Sequence, residues 1–414
     1  MKNYKIVFVI LFIGITSRLV FSVFFSPIPS SGNTGDAVHY YESAVSLAEG
    51  KGYSFNGKPT ANFPPGYSLI LAGLFKLFFP SYKLAQFSNV IFGTISCLLT
   101  YAICKKAFGE RAAMLALGIM ALSPTNIVWS AVVFSENLFL PLLLGVILLW
   151  LHIIQDERPL RENLFKLILS GILLGLTSLT RGQAILLPAA LFLWIIFNRK
   201  SFSSALIAAL IVSLSMIFTV LPWTMRNKEI FGTYKLISTN GGINLLIGNH
   251  HGATGAYHDP EDGYPGGDDE VLKDRLCKEM AMSYIFSNPI NFIKLIPKKI
   301  FFLWGADSTF TFRYELLAKL PHTIGYFLLA SAHILYYLLF FAASAAIIML
   351  MSMNFNNGIA SPSARNDTAC KGVIARGEAP KQSNSKTICN RDDFKPVPER
   401  LYQGMADLPV LLCD

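Results

Sequence analysis

Of 414 residues, 53% are hydrophobic and 15% charged, where an average soluble domain carries roughly 25% charged residues. The shortfall lies in long apolar runs split by short charged patches, which excludes a soluble multidomain protein and points to a polytopic membrane chain. The net charge of +9 clusters in the connections between those runs, where it orients the chain in a bilayer and calls for no nucleic acid.

The first run lies within "MKNYKIVFVILFIGITSRLVFSVFF". It is about 20 residues long, enough to cross a bilayer core. No small-residue cleavage site follows, so it reads as an uncleaved helix with Lys2 and Lys5 in the cytoplasm. Further spans are expected at about 82–104, 111–129, 137–154, 164–179, 184–197, 202–221 and 321–353, giving about eight. Lys105, Lys106 and Arg111, then Arg158, Arg161 and Lys166, then Arg199 and Lys200 fall in every second connection, on the side of Lys2 and Lys5. One topology satisfies all three groups.

The outward connections are two short hairpins, at 135–137 and 181–183, and two long loops, about 26–81 and 222–320. In the first long loop, 36–49 has helical period, with Val38, Tyr41, Val45 and Ala48 on one stripe. Gly50 and Gly52 end it. "NFPPGYSLILAGLFKLFFP" then supplies an apolar segment too short to span. Both segments are expected to be helices lying in the interface. Within the second loop, "INLLI" reads as a short strand. After Met353 the composition turns polar and loses its period, so 1–353 is expected as the membrane domain and 354–414 as a disordered cytoplasmic tail. The six cysteines, Cys97, Cys104, Cys277, Cys370, Cys389 and Cys413, have neither zinc spacing nor the density of a disulfide framework.

Among the groups able to do chemistry, Asp36 has two readings: a helix N-cap, or a general base or metal ligand tuned by an apolar wall. His39 and Tyr40 lie at i+3 and i+4, on its face, either as interfacial anchors or in one pocket with it. Glu136 opens on the same outer side, either simply solvated or as a second carboxylate of one site. Arg181 is the only charge between two apolar helices, and Arg226 lies just past another. Each suits a phosphate at headgroup depth or snorkelling to lipid in general. His250, His251 and His258 with Asp259 match no standard zinc spacing and read as a solvated polar loop.

"TGDAVHYYESAVSLAEGKGYSF", "ANFPPGYSLILAGLF", "SLTRGQAILLPAAL" and "LPWTMRNKEIFGTYKLISTNGGINLLIGNHHGATG" resemble the GT-C class of membrane glycosyltransferases. The branch is that of protein O-mannosyltransferases and the lipid A aminoarabinose transferase (glycosyltransferase family 39-like). The resemblance implies an all-α polytopic bundle with interfacial helices in its first outer loop, and a sugar donor carried on a polyprenyl phosphate. It implies Asp36 as catalytic base, Glu136 as the second acid and Arg181 as phosphate ligand, with His39, Tyr40, Arg226 and Asn249 as further substrate-binding candidates. The acceptor is a lipid, glycan or protein of the cell envelope, and transfer inverts the anomeric centre. The implied location is a bacterial inner membrane, with the N-terminus cytoplasmic and the site periplasmic. No cofactor is required by this reading; some members bind a divalent metal through loop residues, for which this sequence has no matching position. The class commonly has more spans than are found here, so the chain also reads as a shortened and inactive homologue. A polytopic transporter or lipid flippase is the alternative from another class, but it predicts charged or broken helices at the membrane midplane. The apolar runs are nearly free of both, and the main exception, Arg18, lies near the outer end of its helix.

Overall fold

Apolar runs of span length form most of the architecture, which is an all-α polytopic bundle. The computed structural model describes residues 2–24, 35–156, 160–198, 201–304 and 322–359. Residues 1–342 form one compact unit and 343–414 a second.

Five helices among the described residues are long and apolar enough to cross a membrane: Tyr4–Phe24, within α1 (Lys2–Phe24); α4 (Tyr82–Phe108); α7 (Glu136–Gln155); α10 (Phe202–Phe231); and Gly325–Ala345, within α14 (His322–Ile359). The pair α5 (Glu110–Leu122) and α6 (Pro124–Ser130), bent by 52°, makes a sixth when counted as one broken span. Pro124 causes the bend. Ser123, the residue before it, is extended at φ −56°, ψ 123°, as proline forces on its predecessor. The other two of the eight expected spans are shorter helices. One is α8 (Leu164–Thr180), and the second is a 3-10 turn at Gly182–Leu186 running into α9 (Leu187–Phe197).

The bend strands the last carbonyls of α5, and buried Arg18 collects them. It donates to Ala121 O at 2.7 Å, Met120 O at 3.0 Å and, on its own helix, Gly14 O at 3.0 Å. After α6 the chain runs without regular structure, mostly buried, through 131–135. Buried carbonyls there need donors. Gln86 gives one to Ala131 O at 2.8 Å and Asn89 one to Val132 O at 2.8 Å, while Asn137 reaches Trp129 O, Val132 O and Phe134 O. Tyr67 of α3 (Gly66–Leu77) donates to the free oxygen of Asn89 at 2.7 Å.

In the first loop, α2 (Gly35–Ala48) packs on α3. Its most buried face is Ala37, Tyr40, Ser43 and Ala44, rotated from the expected stripe, whose members are half-buried. The following loop also covers α2 from the side, so burial does not follow a single apolar face. Asn56 and Gly57, both at positive φ, make the two-residue turn of a hairpin pairing β1 (Ser54–Phe55) with β2 (Lys58–Pro59). "INLLI" is helical, not extended: it lies in α11 (Gly241–Gly248). The helix buries Leu246 against Cys277 and Ala281 of α12 (Glu270–Ser287), an anchorage a two-sided strand would not give. A last interfacial-length helix, α13 (Pro289–Trp304), precedes α14. Helix α14 continues to Ile359, past the expected boundary at Met353; the tail from 360, Ser26 to Thr34, Arg158, Arg199 and Lys200 lie outside the described residues.

Helices α8 and α10 approach through Gly171 and Gly175, spaced as small-xxx-small. A Cβ at Gly171 would stand 2.5 Å from Ser215 Cβ, and one at Gly175 2.5 Å from Thr219 Cβ. Gly175→Leu is expected to destabilise the protein by about 1–3 kcal/mol through overpacking. Gly118→Ala, where the added atom meets nothing within 4 Å, is expected to stay within about 0.5 kcal/mol. Thermal unfolding of both variants in the same detergent checks this.

Candidate functional site

Three charged residues stand at helix ends of the sign each end favours. Asp36 is in the first turn of α2, Glu136 is the first residue of α7, and Arg181 follows the last residue of α8. The packing that brings these ends together is tight. A Cβ at Gly66, where α3 begins, would lie 2.6 Å from Thr180 Oγ1 and 2.9 Å from the Leu179 carbonyl, so glycine is what lets α3 meet the end of α8.

All three charges line one cavity of about 700 Å³, with Tyr40 and Ser135. Arg181 Nη1 lies 2.5 Å from Glu136 Oε1. Tyr40 Oη donates to Ser135 Oγ at 3.1 Å, and Ser135 Oγ contacts Glu136 Oε2 at 3.4 Å. The run Tyr40–Ser135–Glu136–Arg181 thus ties α2, the 131–135 segment and α8. Both members of the ion pair are partly exposed, so the pair itself contributes at most about 1 kcal/mol. Its consequence is positional.

Asp36 is open to the cavity, yet protein surrounds it on its other sides. That desolvation raises its carboxyl above the ordinary value, the Glu136 charge raises it further, and the Arg181 charge pulls it back. The folded chain therefore holds this proton more tightly than the unfolded one, and the associated stability falls as pH rises past the usual carboxylate range.

The remaining sequence candidates lie elsewhere. His39 is buried behind Phe63, stacked on Phe55 at 4.4 Å, with Nδ1 3.5 Å from Ser43 Oγ. Burial lowers its pKa to about 4, so the ring is neutral at physiological pH. Arg226 donates to the carbonyls of Thr60 and Tyr53 at 2.7 Å each and stacks over Trp223; it clamps the first loop to α10. Asn249 accepts from Lys299 at 2.9 Å and lines a separate cavity of about 340 Å³ beside His250 and His251. No group of three or more His, Cys, Asp or Glu among the described residues is arranged to hold a metal ion. The His250–His258 segment does not fit a metal, and no chemistry is assigned through one.

The main cavity has further walls that sequence reasoning missed. Asn240 and Asn244 come from the start of α11 and its approach, Tyr257 and Tyr264 from the loop after it, and Lys273 from α12. Glu270 fixes that second loop to the first, accepting from Thr60 Oγ1 and Ala61 N, both at 2.7 Å. The asparagines and glycines around α11 signalled turns, but nothing local in sequence says that this segment folds back over α2.

Residues 62–223 match the profile of the family described as dolichyl-phosphate-mannose-protein mannosyltransferase. The match covers less than half of the chain and makes that stretch similar to the family, while the span-length apolar helices indicate an integral membrane protein. Glu136 and Arg181 fall within the matched residues; Asp36 precedes them. No curated protein matches the chain significantly.

Titration of carboxyl groups by infrared difference spectroscopy, with Asp36→Asn to identify the band, tests the electrostatics without an activity assay. Asp36 is expected to titrate above the roughly 3.9 of a free aspartate. Glu136→Gln, which removes a negative neighbour, is expected to move it down, and Arg181→Met to move it up.

Proposed function

We propose that the chain transfers a sugar from a polyprenyl-phosphate donor to a hydroxyl acceptor at the outer face of the membrane, with inversion. The observation that carries the reading is the meeting of Asp36 with the Glu136–Arg181 pair in one cavity at the ends of α2, α7 and α8.

Asp36 takes the proton of the acceptor hydroxyl as its oxygen attacks the anomeric carbon. The bond from that carbon to the phosphate oxygen breaks, and polyprenyl phosphate leaves with the electron pair. A carboxylate of raised proton affinity is a better base for this step. Arg181 faces the phosphate as leaving-group charge develops, worth most where water is excluded. Glu136 keeps the guanidinium at the cavity and, by its charge, keeps Asp36 basic. Lys273 of α12 is a second lining cation and suits the same anion. The alternation of Lys and Arg between connections supports an outer-face site with the N-terminus cytoplasmic, and the family resemblance implies a bacterial inner membrane. His39, Arg226 and Asn249 serve by holding the walls, since the contacts they make are to aromatic rings, backbone carbonyls and Lys299.

The test is transfer of radiolabel from a polyprenyl-phosphate sugar pool in membranes containing the chain. Asp36→Asn is expected to lower the rate by about 10²–10⁴-fold with membrane levels unchanged. Arg181→Met is expected to reduce kcat with a smaller effect on acceptor KM. Asp36→Asn membranes as active as unmodified ones would remove Asp36 from the mechanism.

A further inference from the structure

The loop between α11 and α12 presents two tyrosines to the main cavity, and both are fastened to one carboxylate. Tyr257 Oη donates to Asp259 Oδ1 at 3.0 Å, and Tyr264 Oη donates to the same oxygen by a short hydrogen bond. Those two bonds hold Asp259 below the usual carboxylate range, so it accepts from both at neutral pH. The Tyr257 phenol lies within reach of the Asp36 charge, which adds to the effects of burial and Asp259 in raising it. Both tyrosines and the proposed base line the same cavity.

Packing accounts for Tyr264, which lies against the cluster of Leu246, Cys277 and Ala281, but not for Tyr257. Tyr257 is 76% exposed, so fixing its ring costs side-chain entropy without the return of burial. A ring held ready while exposed is preorganised for something that comes to lie on it. Around it the cavity is lined by the amides of Asn62, Gln183, Asn240 and Asn244, each with both donors and an acceptor. Ring faces bordered by amides suit a pyranose, whose C–H face stacks on the aromatic and whose hydroxyls pair with the amides.

Resting on the transferase reading above, we propose that Tyr257 and Tyr264, locked by Asp259, are the acceptor subsite, and that it takes a pyranose ring of a glycan or glycolipid and presents its hydroxyl to Asp36. Asp259 is a positioning residue, acting through the two rings.

The experiment uses the full chain in detergent, with methyl α-mannopyranoside, methyl β-glucopyranoside and a Ser/Thr-rich peptide as probes in saturation-transfer difference NMR. Pyranoside signals are expected from the unmodified chain and from Asp36→Asn. They are expected to fall about tenfold in Asp259→Ala and to recover in Asp259→Asn, whose amide oxygen still accepts. Tyr257→Phe, which removes one hydrogen bond and keeps the ring, gives an intermediate loss and guards against misfolding of the alanine variant. In transfer assays Asp259→Ala is expected to raise acceptor KM about tenfold with kcat nearly unchanged. Pyranoside signals indifferent to Asp259→Ala, or signals from the peptide alone, overturn the subsite. If the unmodified chain transfers nothing while pyranoside binding still depends on Asp259, the saccharide subsite stands and the transferase reading falls.

Discussion

The segment 131–135 is buried backbone without helix or strand to satisfy it, and everything at the site hangs from it. A buried carbonyl left without a donor costs on the order of 1–3 kcal/mol, so several in a row would unfold the segment. Gln86, Asn89 and Asn137 answer them with side-chain amides, and Tyr67 orients Asn89 from the far side. These groups sit on α4, α7 and α3, so the segment is defined only when three helices are in register. It ends at Ser135 and Glu136. The position of the acid is thus set in part by its neighbour Asn137 and in part by amides on α4, about 50 residues earlier in the chain, which its local sequence does not show.

Two electrostatic scales operate at the cavity and do different things. The Arg181–Glu136 pair is too exposed to hold the fold, and removing it would cost the bundle little. Its charges nonetheless act on Asp36 across a cavity with few other ions, from opposite directions. Helix ends supply a third contribution of the same sign at each residue, since both acids sit at N-termini and the arginine at a C-terminus. At Asp36 the N-terminal field of α2 favours the ionised form and so opposes burial and the Glu136 charge, while the C-terminal field of α8 favours the guanidinium of Arg181.

Asp36, Glu136 and Arg181 were legible in the sequence because each is an isolated charge at the edge of an apolar run, where little else explains it. That they line one cavity was not legible, since it depends on the Gly66 approach to Thr180 and on the amides of α4. Arg226 gave the same sequence signal as Arg181 but binds the carbonyls of Thr60 and Tyr53. Helix α10 runs on to Phe231 and contains Arg226, and a lone arginine beyond an apolar run does not reveal whether its partner is a ligand or backbone. His39 shares the face of Asp36, yet the rings of Phe55 and Phe63 box it in. Periodicity placed α2 and the apolar helix after it, and misjudged the side α2 buries, because packing on two sides leaves no single stripe. The eight apolar runs are present as helices, but the break at Pro124 and the shortness of α8 and α9 separate apolar composition from span length. "INLLI" was misread because five apolar residues fit either period; the neighbouring α12 decides.

Arg18 also sets an order of assembly. Its partners at Met120 and Ala121 lie 102 and 103 residues further along the chain. When α1 first leaves the ribosome, the guanidinium has only Gly14 O on its own helix. Arginine in an inserting helix is disfavoured by about 2.5–3.5 kcal/mol at the helix centre on insertion scales and by less toward the outer end, where Arg18 lies. The first helix is therefore poorly settled in lipid by itself, and it comes to rest only when α5 is made and its broken end arrives. The bend at Pro124 supplies that end, so a helix-breaking residue late in the sequence completes the insertion of the earliest one.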